Sequence, residues 1–403
     1  MTTVSSSSAA RSAVERPTSL DQAAQVLRDT RGSVVFRGGG TKLRWGGGVV
    51  ETPDLVLETG GLDRLIAHNP ADMTAAVQAG MPLRTLQDRL AEAGQWLALD
   101  PPTESLGATL GGLLATGDSG PRRQRYGALR DLVIGATLVL ADGTVAHAGG
   151  QVIKNVAGYD LSKLAYGSLG TLGLVAEVVV RVHPRPESSA TLVVPASVAT
   201  AAEITRRLLA ARLEPSAVDW MGDPRDPAGG RLAVRFEGSR AGVEAQTASL
   251  GGLLDASRPG PPLVASDETA VWEEFAAARR AGPGQSIAFA GTLPSRLTAV
   301  AQALLRAAED TDVQVWLASH CALGLHTARF AGPPPQQIAA FNRWRGALVD
   351  RGGTVVLRDR PDEVDMSVDA VGPAPPAAKL LRALKARLDP EGRCAPGRLG
   401  SWV

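Results

Sequence analysis

Cysteine is nearly absent: Cys321 and Cys394 are the only two in 403 residues. A disulfide framework is excluded, and so is an iron–sulfur cluster built from this chain alone, since a cluster normally takes four thiolates. Lysine is almost as scarce, with five residues at 42, 154, 163, 379 and 385, so the basic side is nearly all arginine. Neither sign of charge dominates, with 42 Lys and Arg against 41 Asp and Glu. There is no field to hold a polyanion and no basic stripe interleaved with aromatics, so no nucleic-acid partner is expected. No stretch approaches the roughly 20 apolar residues of a transmembrane helix. Residues 1–14 are rich in Ser and Ala and lack an apolar segment, so residues 1–16 read as a disordered tail and not as a secretory signal. The protein reads as cytoplasmic.

What the chain has in quantity is glycine, 45 residues, and the most informative cluster follows Val34-Val35-Phe36 as Arg37-Gly38-Gly39-Gly40-Thr41-Lys42. Three glycines without Cβ let successive N–H groups turn to one side and form an anion-binding nest. A diphosphate suits such a nest, with Arg37 or Lys42 and the Thr41 hydroxyl completing it. The pattern is neither the Rossmann nor the Walker loop, because Lys42 follows Thr41. A glycine-rich hairpin turn with a solvated Lys remains the alternative on this loop alone.

The length predicts two to three domains. Residues 18–29 read as a helix capped by Thr18 or Ser19, with short buried strands at 33–36 and 54–57. A strand at 73–78 precedes a helix that Pro82 starts and Gly94 ends. A glycine-dense block from 103 to 186 holds SLGATLGGLLATGDSG (105–120), a strand at 131–143 ending in the hairpin signal Asp142-Gly143, NVAGYDLSKLAYGSLGTLG (155–173), and a strand at 174–184. From 187 helices such as 198–212 alternate with strands such as 231–236. The final stretch is a helix followed by Pro390-Glu391-Gly392 and Cys394-Ala395-Pro396-Gly397-Arg398.

In this order and spacing, RGGGTK, DPP with LGATLGGLLATGDSG, and YGSLGTLGLVAEVVVRVHPRP resemble the flavoproteins of the vanillyl-alcohol oxidase / p-cresol methylhydroxylase (PCMH) superfamily. The segment GPRRQRYGALRDLVIGATLVLADG with IKNVAGYDLSKLAYGSLGTLG, above all Lys154 to Asp160, is similar to the FAD-binding subunits of bacterial glycolate oxidases. The resemblance implies an α+β fold. A two-subdomain PCMH-type FAD-binding domain (17–186) is followed by an α/β cap-like domain (187–375) and a C-terminal helix and tail (376–403) that pack back on the FAD domain. It implies that Arg37 and Gly38, Gly39, Gly40, Thr41 and Lys42 hold the FAD diphosphate. Thr109, Gly112, Thr116, Gly117, Asp118, Ser119 and Gly120 line the ribityl chain and ring, and Val175 meets the adenine. Relatives with covalent flavin carry His or Cys where this chain has Thr41, so non-covalent FAD is implied.

The implied activity is oxidation of glycolate or a related 2-hydroxy acid within a complex, beside a catalytic FAD-containing subunit and an iron–sulfur subunit. The location is then cytoplasmic, or at the inner face of the membrane through those partners. A stand-alone oxidoreductase of another alcohol, lactone or hydroxy acid, and a non-catalytic assembly subunit, are the alternatives. The 2-hydroxyacid relatives show H-x-G-x-G-x-x-H and a Glu-His-Gly segment. This chain shows His320-Cys321-Ala322-Leu323-Gly324-Leu325-His326, and Arg358-Asp359 after Gly352-Gly353. His320 and His326 are the candidates left for catalysis. Read as one strand, their even spacing points them to one face, but they lack a third ligand, so no metal site is expected and ordinary strand histidines are the favoured reading. Asp359 and Asp362 to Asp365 read as a solvated loop. Arg122, Arg123, Arg125 and Arg130 read as a solvated basic loop, with a substrate carboxylate or a partner subunit as the functional alternative.

Overall fold

The computed structural model describes residues 12–48, 52–150, 161–226, 229–255 and 263–400. Lys154 to Asp160, including Tyr159, lie outside the described residues, as do residues 1–11. Near the start a parallel three-stranded sheet places Leu55–Glu58 between Ala13–Glu15 and Val34–Arg37, and the ladder of Ala13–Glu15 with Leu55–Leu57 corrects the reading of that part of the tail as disordered. The helix Leu20–Asp29 begins where the Ser19 hydroxyl accepts from the Gln22 N–H. It buries Ala23, Ala24 and Leu27 in a core shared with Val34, Leu55 and Leu57.

A second, five-stranded antiparallel sheet runs in the order Leu65–Asn69, Thr74–Gln78, Leu174–Arg181, Val133–Val139, Val145–Gly149. The expected 131–143 strand starts later than the sequence suggests, because Leu129–Leu132 is a helical turn. Asp142-Gly143 makes the hairpin, with Gly143 at φ +78°, a conformation a Cβ would strain. Two short helices share a core with this sheet. Leu83–Ala91 buries Leu83, Leu86 and Leu90, and Leu110–Thr116 buries Leu110, Leu113 and Leu114 beside them.

From Ser188 onward the strands form an eight-stranded antiparallel sheet, ordered Leu263–Val264, Ser188–Pro195, Arg231–Gly238, Ala217–Gly222, Gln314–His320, Leu325–Ala331, Gln285–Gly291, Thr354–Asp359. The alternation of side chains sorts its two faces. Leu192, Val194, Trp220, Val234, Leu317, Phe330 and Leu357 pack under the helices Val198–Ala210, Arg240–Asp255, Leu297–Ala308 and Pro334–Val349. The intervening residues include Asp219, Arg235, Glu237, Phe289, His320 and Arg358, and they occupy the other face, toward the first two sheets.

The architecture is α+β. Its last described segment returns to its first sheet. After the helix Ala378–Leu388, the Val34 N–H donates to the Arg393 carbonyl (2.8 Å) and the Ala395 N–H to the Val34 carbonyl (2.8 Å). Arg393 is buried and donates to the carbonyls of Gly32, Leu27, Thr30 and Ala141. Asp100, Arg122, Arg235 and Glu237 tie the eight-stranded sheet to the rest. Arg235 reaches Asp100 (3.0 Å) and Glu237 (3.6 Å), and Arg122 reaches Glu237 (2.9 Å). Arg122 also stacks on Trp96 and Arg235 on Trp272. Arg122 is therefore committed to an internal clasp, and its loop is not simply a solvated basic one.

Candidate functional site

A cleft opens between the loop Gly38–Lys42, the helix Leu110–Thr116, the Leu169–Val175 segment and Arg398. The loop leaves the end of the parallel strand Val34–Arg37. The amides of Gly38, Gly39, Gly40 and Thr41 donate no hydrogen bond to any other described residue. Gly38, Gly39 and Gly40 are exposed and Thr41 is half-buried, so this row of free amides is presented to the cleft as a nest that suits an anion. The glycines are required by close approach. A Cβ on Gly38 would lie 2.2 Å from Thr109 Oγ1, and one on Gly39 would lie 2.1 Å from the Gly107 carbonyl oxygen. The Thr109 hydroxyl in turn accepts from the Gly112 N–H (3.3 Å).

Beside the nest runs a buried polar chain. Lys42 Nζ donates to Thr41 Oγ1 and Thr103 Oγ1 (both 2.9 Å), and Thr103 Oγ1 donates to Asp118 Oδ2 (2.6 Å). Lys42 Nζ and Asp118 Oδ2 are 3.7 Å apart. Burial pulls the Lys42 ammonium down to about 8, against the attraction of Asp118 and with the nearby charge of Arg358. Asp118 Oδ1 and Ser119 Oγ are buried without a partner. Tyr166 is a wedge under this turn, its hydroxyl donating to the Gly117 carbonyl (3.2 Å).

Of the residues expected at the cofactor, Gly38, Gly39, Gly40, Thr41, Lys42, Thr109, Gly112, Thr116 and Val175 line the cleft. Arg37 is not among them, because its guanidinium pairs with Glu58 at the sheet surface. Gly117, Asp118 and Gly120 stand behind the lining. A Cβ on Gly120 would lie 1.7 Å from the Asp100 carbonyl oxygen, so chain packing requires that glycine. The sequence reading missed Phe36, Leu169, Gly170 and Arg398. The available signals were the YGSLGTLG glycines, where Leu169 and Gly170 both have positive φ, and the APGR tail. Arg398 is buried and donates to the carbonyls of Lys42 (3.0 Å) and Trp45 (3.0 and 2.6 Å).

A second recess meets the cleft at Thr41 and is walled by Trp45, Thr103, Ser119, Phe289, His320 and Arg358 among others. His320 and His326 do not share a strand. Residues 321–324 are a turn with Gly324 at φ +66°, and the register pairs Ser319 with His326, so the two rings fall on opposite faces. His326 lies on the helix side between Ser319 Oγ (3.0 Å) and Thr292 Oγ1 (2.9 Å), and burial pushes it down to about 3. It is a neutral packed histidine. His320 is on the recess side with Nδ1 2.8 Å from Asp219 Oδ1, and Asp219 also pairs with Arg279 (2.6 Å). Burial holds His320 below its ordinary value despite Asp219. No group of three or more His, Cys, Asp or Glu that could hold a metal is present among the described residues. Asp359 is part of the recess wall with its carboxyl raised by burial, which corrects the reading of a solvated loop.

The uncommitted amides and the glycines that no Cβ could replace, with Asp118 Oδ1 and Ser119 Oγ unpartnered nearby, fit a dinucleotide flavin. Residues 11–149 match the sequence family described as FAD binding domain. This part of the chain is an FAD-binding domain, and its cofactor is FAD. Among its relatives are the glycolate oxidase subunit GlcE of Escherichia coli, 33% identical over 240 residues that cover 58% of this chain and 63% of that protein. Another is the glycolate oxidase subunit GlcD of Bacillus subtilis, 33% identical over 53% of this chain and 46% of that protein. The matches thus span about half to two-thirds of these relatives' length. Of solved structures, an alkyldihydroxyacetonephosphate synthase matches at TM-score 0.72 and 17% identity over 95% of this chain and 76% of its own. The 6-hydroxy-D-nicotine oxidase of Arthrobacter nicotinovorans matches at TM-score 0.62 and 19% identity, over 94% and 90%. These two share the fold.

Proposed function

We propose that the chain is the FAD-binding subunit of a complex that oxidises glycolate or a related 2-hydroxy acid to the 2-oxo acid. The observation that carries this reading is the nest of uncommitted amides at Gly38–Thr41 with the unpartnered Asp118 Oδ1 and Ser119 Oγ beside it. The glycolate oxidase relatives support the substrate class and the multi-subunit setting. When bound, FAD supplies the two-electron oxidation. The chain's own residues do the holding. The loop amides meet the diphosphate charge, Thr109, Thr116 and Val175 line the cleft, and Ser119 lines the recess beside it. Thr41 offers neither the imidazole nor the thiol of the covalent flavin linkages. Cys321 and Cys394 are both buried, with burial pushing the Cys394 thiol up to about 12. Onward electron transfer then falls to a partner flavoprotein and an iron–sulfur subunit. No helix among the described residues is long and apolar enough to cross a membrane, and association with the inner membrane face is assigned to the partners.

Acid precipitation of the purified chain should release yellow flavin into the supernatant, and tagged partner subunits should copurify with it. A folded, colourless chain would overturn the reading, and flavin left in the pellet would overturn the non-covalent attachment. The pairing of His320 with Asp219 favours a second reading, a stand-alone oxidoreductase. Anaerobic mixing with glycolate or D-lactate separates the two. Flavin that bleaches only after partner subunits are added supports the complex, and rapid stoichiometric bleaching of the isolated chain selects the independent enzyme.

A further inference from the structure

Arg358 is unlike the other arginines around the second recess. Arg279 is paired with Asp219 (2.6 Å) and Arg280 with Glu273 (2.7 Å). The Arg358 guanidinium forms no ion pair and donates no hydrogen bond among the described residues. It lies between two aromatic rings, 4.1 Å from the centroid of Trp45 and 3.8 Å from that of Phe289. Such stacking holds the plane of the fork while leaving its edge N–H groups free. The carboxylates that bear on this recess are engaged elsewhere. Asp118 is engaged by Thr103 and lies near Lys42, Asp219 is shared by His320 and Arg279, and Asp359 accepts from the Arg360 N–H (3.0 Å). Two more groups on the walls are uncommitted: Ser119 Oγ, buried without a partner, and His320, whose Nε2 makes no hydrogen bond to a described residue while Nδ1 is fixed by Asp219.

We propose that this recess is the binding site for a small carboxylate, with Arg358 gripping the carboxylate through its planar fork and Ser119 and His320 meeting the neighbouring oxygen substituent. The proposal rests on the reading of the chain as a flavoprotein of hydroxy-acid oxidation, and it assigns the positioning residues of that site. Arg358 is half-buried and its unpaired fork is open to the recess, where a carboxylate can reach it. Arginine and carboxylate match two bonds at a time. The recess abuts the flavin cleft at Thr41, which lines both, so an acid held by Arg358 sits next to the cofactor.

The test uses the FAD-loaded chain and oxalate as probe, read by isothermal titration and by perturbation of the oxidised flavin spectrum. Wild type should bind oxalate saturably. Arg358→Gln should weaken binding roughly 10- to 100-fold, as expected for loss of charge-assisted hydrogen bonds, with FAD content and circular dichroism unchanged. Arg358→Lys should fall between the two, because it keeps the charge and loses the fork. It is the deciding variant if the glutamine variant does not fold. Wild-type oxalate affinity in either folded variant, or absence of oxalate binding by the wild type, would overturn the proposal. Inorganic phosphate binding as tightly as oxalate would overturn the carboxylate class. A wild-type chain that lacks flavin but binds oxalate calorimetrically in an Arg358-dependent way would instead sink the flavoprotein reading and keep this one.

Discussion

Gly38 and Gly39 face different obstacles, and substitution should tell them apart. A Cβ on Gly38 meets a side chain, Thr109, whereas one on Gly39 meets the backbone oxygen of Gly107. Each alanine should cost ~1–3 kcal/mol by overpacking and lower the flavin content. Adding Thr109→Ala should recover most of the Gly38→Ala defect, less about 1 kcal/mol for the lost helix cap, and none of the Gly39→Ala defect. Thermal midpoints and the flavin-to-protein absorbance ratio read both outcomes. Lys42 gives a pH test. Its ordinary value of 10.5 is lowered to about 8 by burial, so between those limits the unfolded chain binds more protons and the stability of the empty protein rises with pH. FAD affinity should run the other way. A bound diphosphate favours the ammonium, the loaded protein holds the extra proton, and affinity is flat below about pH 8 and falls above it. Lys42→Met should remove that slope in a fluorescence titration of FAD. A slope that survives the substitution would assign the pH dependence to another group.

Short loops that must bend were readable, while the pairing of distant segments was not. RGGGTK, Asp142-Gly143 and the Ser19 cap carry their conformational demands in a few adjacent residues. Val34–Arg37 and Leu174–Arg181 announce themselves by β-branched residues, and Leu55–Glu58 by a short apolar run. The histidines misled because alternation holds only within one strand. The turn at 321–324 restarts it and sends His320 and His326 to opposite faces. Arg358 was passed over for a related reason. Its neighbours Trp45 and Phe289 are remote in sequence, and nothing local marks a cation that will lack a partner. Arg398 makes the same point between a tail and a loop. Its guanidinium fork meets two buried carbonyls 353 and 356 residues away in the chain. Arg398→Ala should leave them unsatisfied at ~1–3 kcal/mol each, loosening the Lys42–Trp45 segment, so FAD dissociation should accelerate in a stopped-flow release assay. Arg398→Lys should rescue little, since one ammonium cannot reproduce the fork.

At the scale of the molecule, the clasp of Asp100, Arg122, Arg235 and Glu237 fixes the eight-stranded sheet against the flavin-binding sheets and so sets the width of the recess between them. Arg235 and Glu237 are nearly inaccessible, with side chains 2% and 1% exposed. Neutralising one of them strands a buried charge. Glu237→Gln should therefore lower stability by ~3–5 kcal/mol, measured by chemical denaturation. The double variant Arg235→Met with Glu237→Leu leaves Asp100 and Arg122 as a pair and should be less destabilised than the sum of its parts. If the two effects simply add, the four groups do not act as a unit.

The closing of the first sheet by Arg393–Ala395 and of the glycine loop by Arg398 has a consequence in time. A ribosome makes the cradle early, at residues 38–42, but the residues that hold its floor and rim emerge more than three hundred positions later. Until then the Val34 strand is paired on one edge only, with Leu55–Glu58, and Lys42 and Trp45 keep bare carbonyls. Nascent chains stalled before residue 393 should therefore emerge colourless even in excess FAD. Chains in which residue 398 has cleared the exit tunnel should take it up, so cofactor supply matters only from that point on.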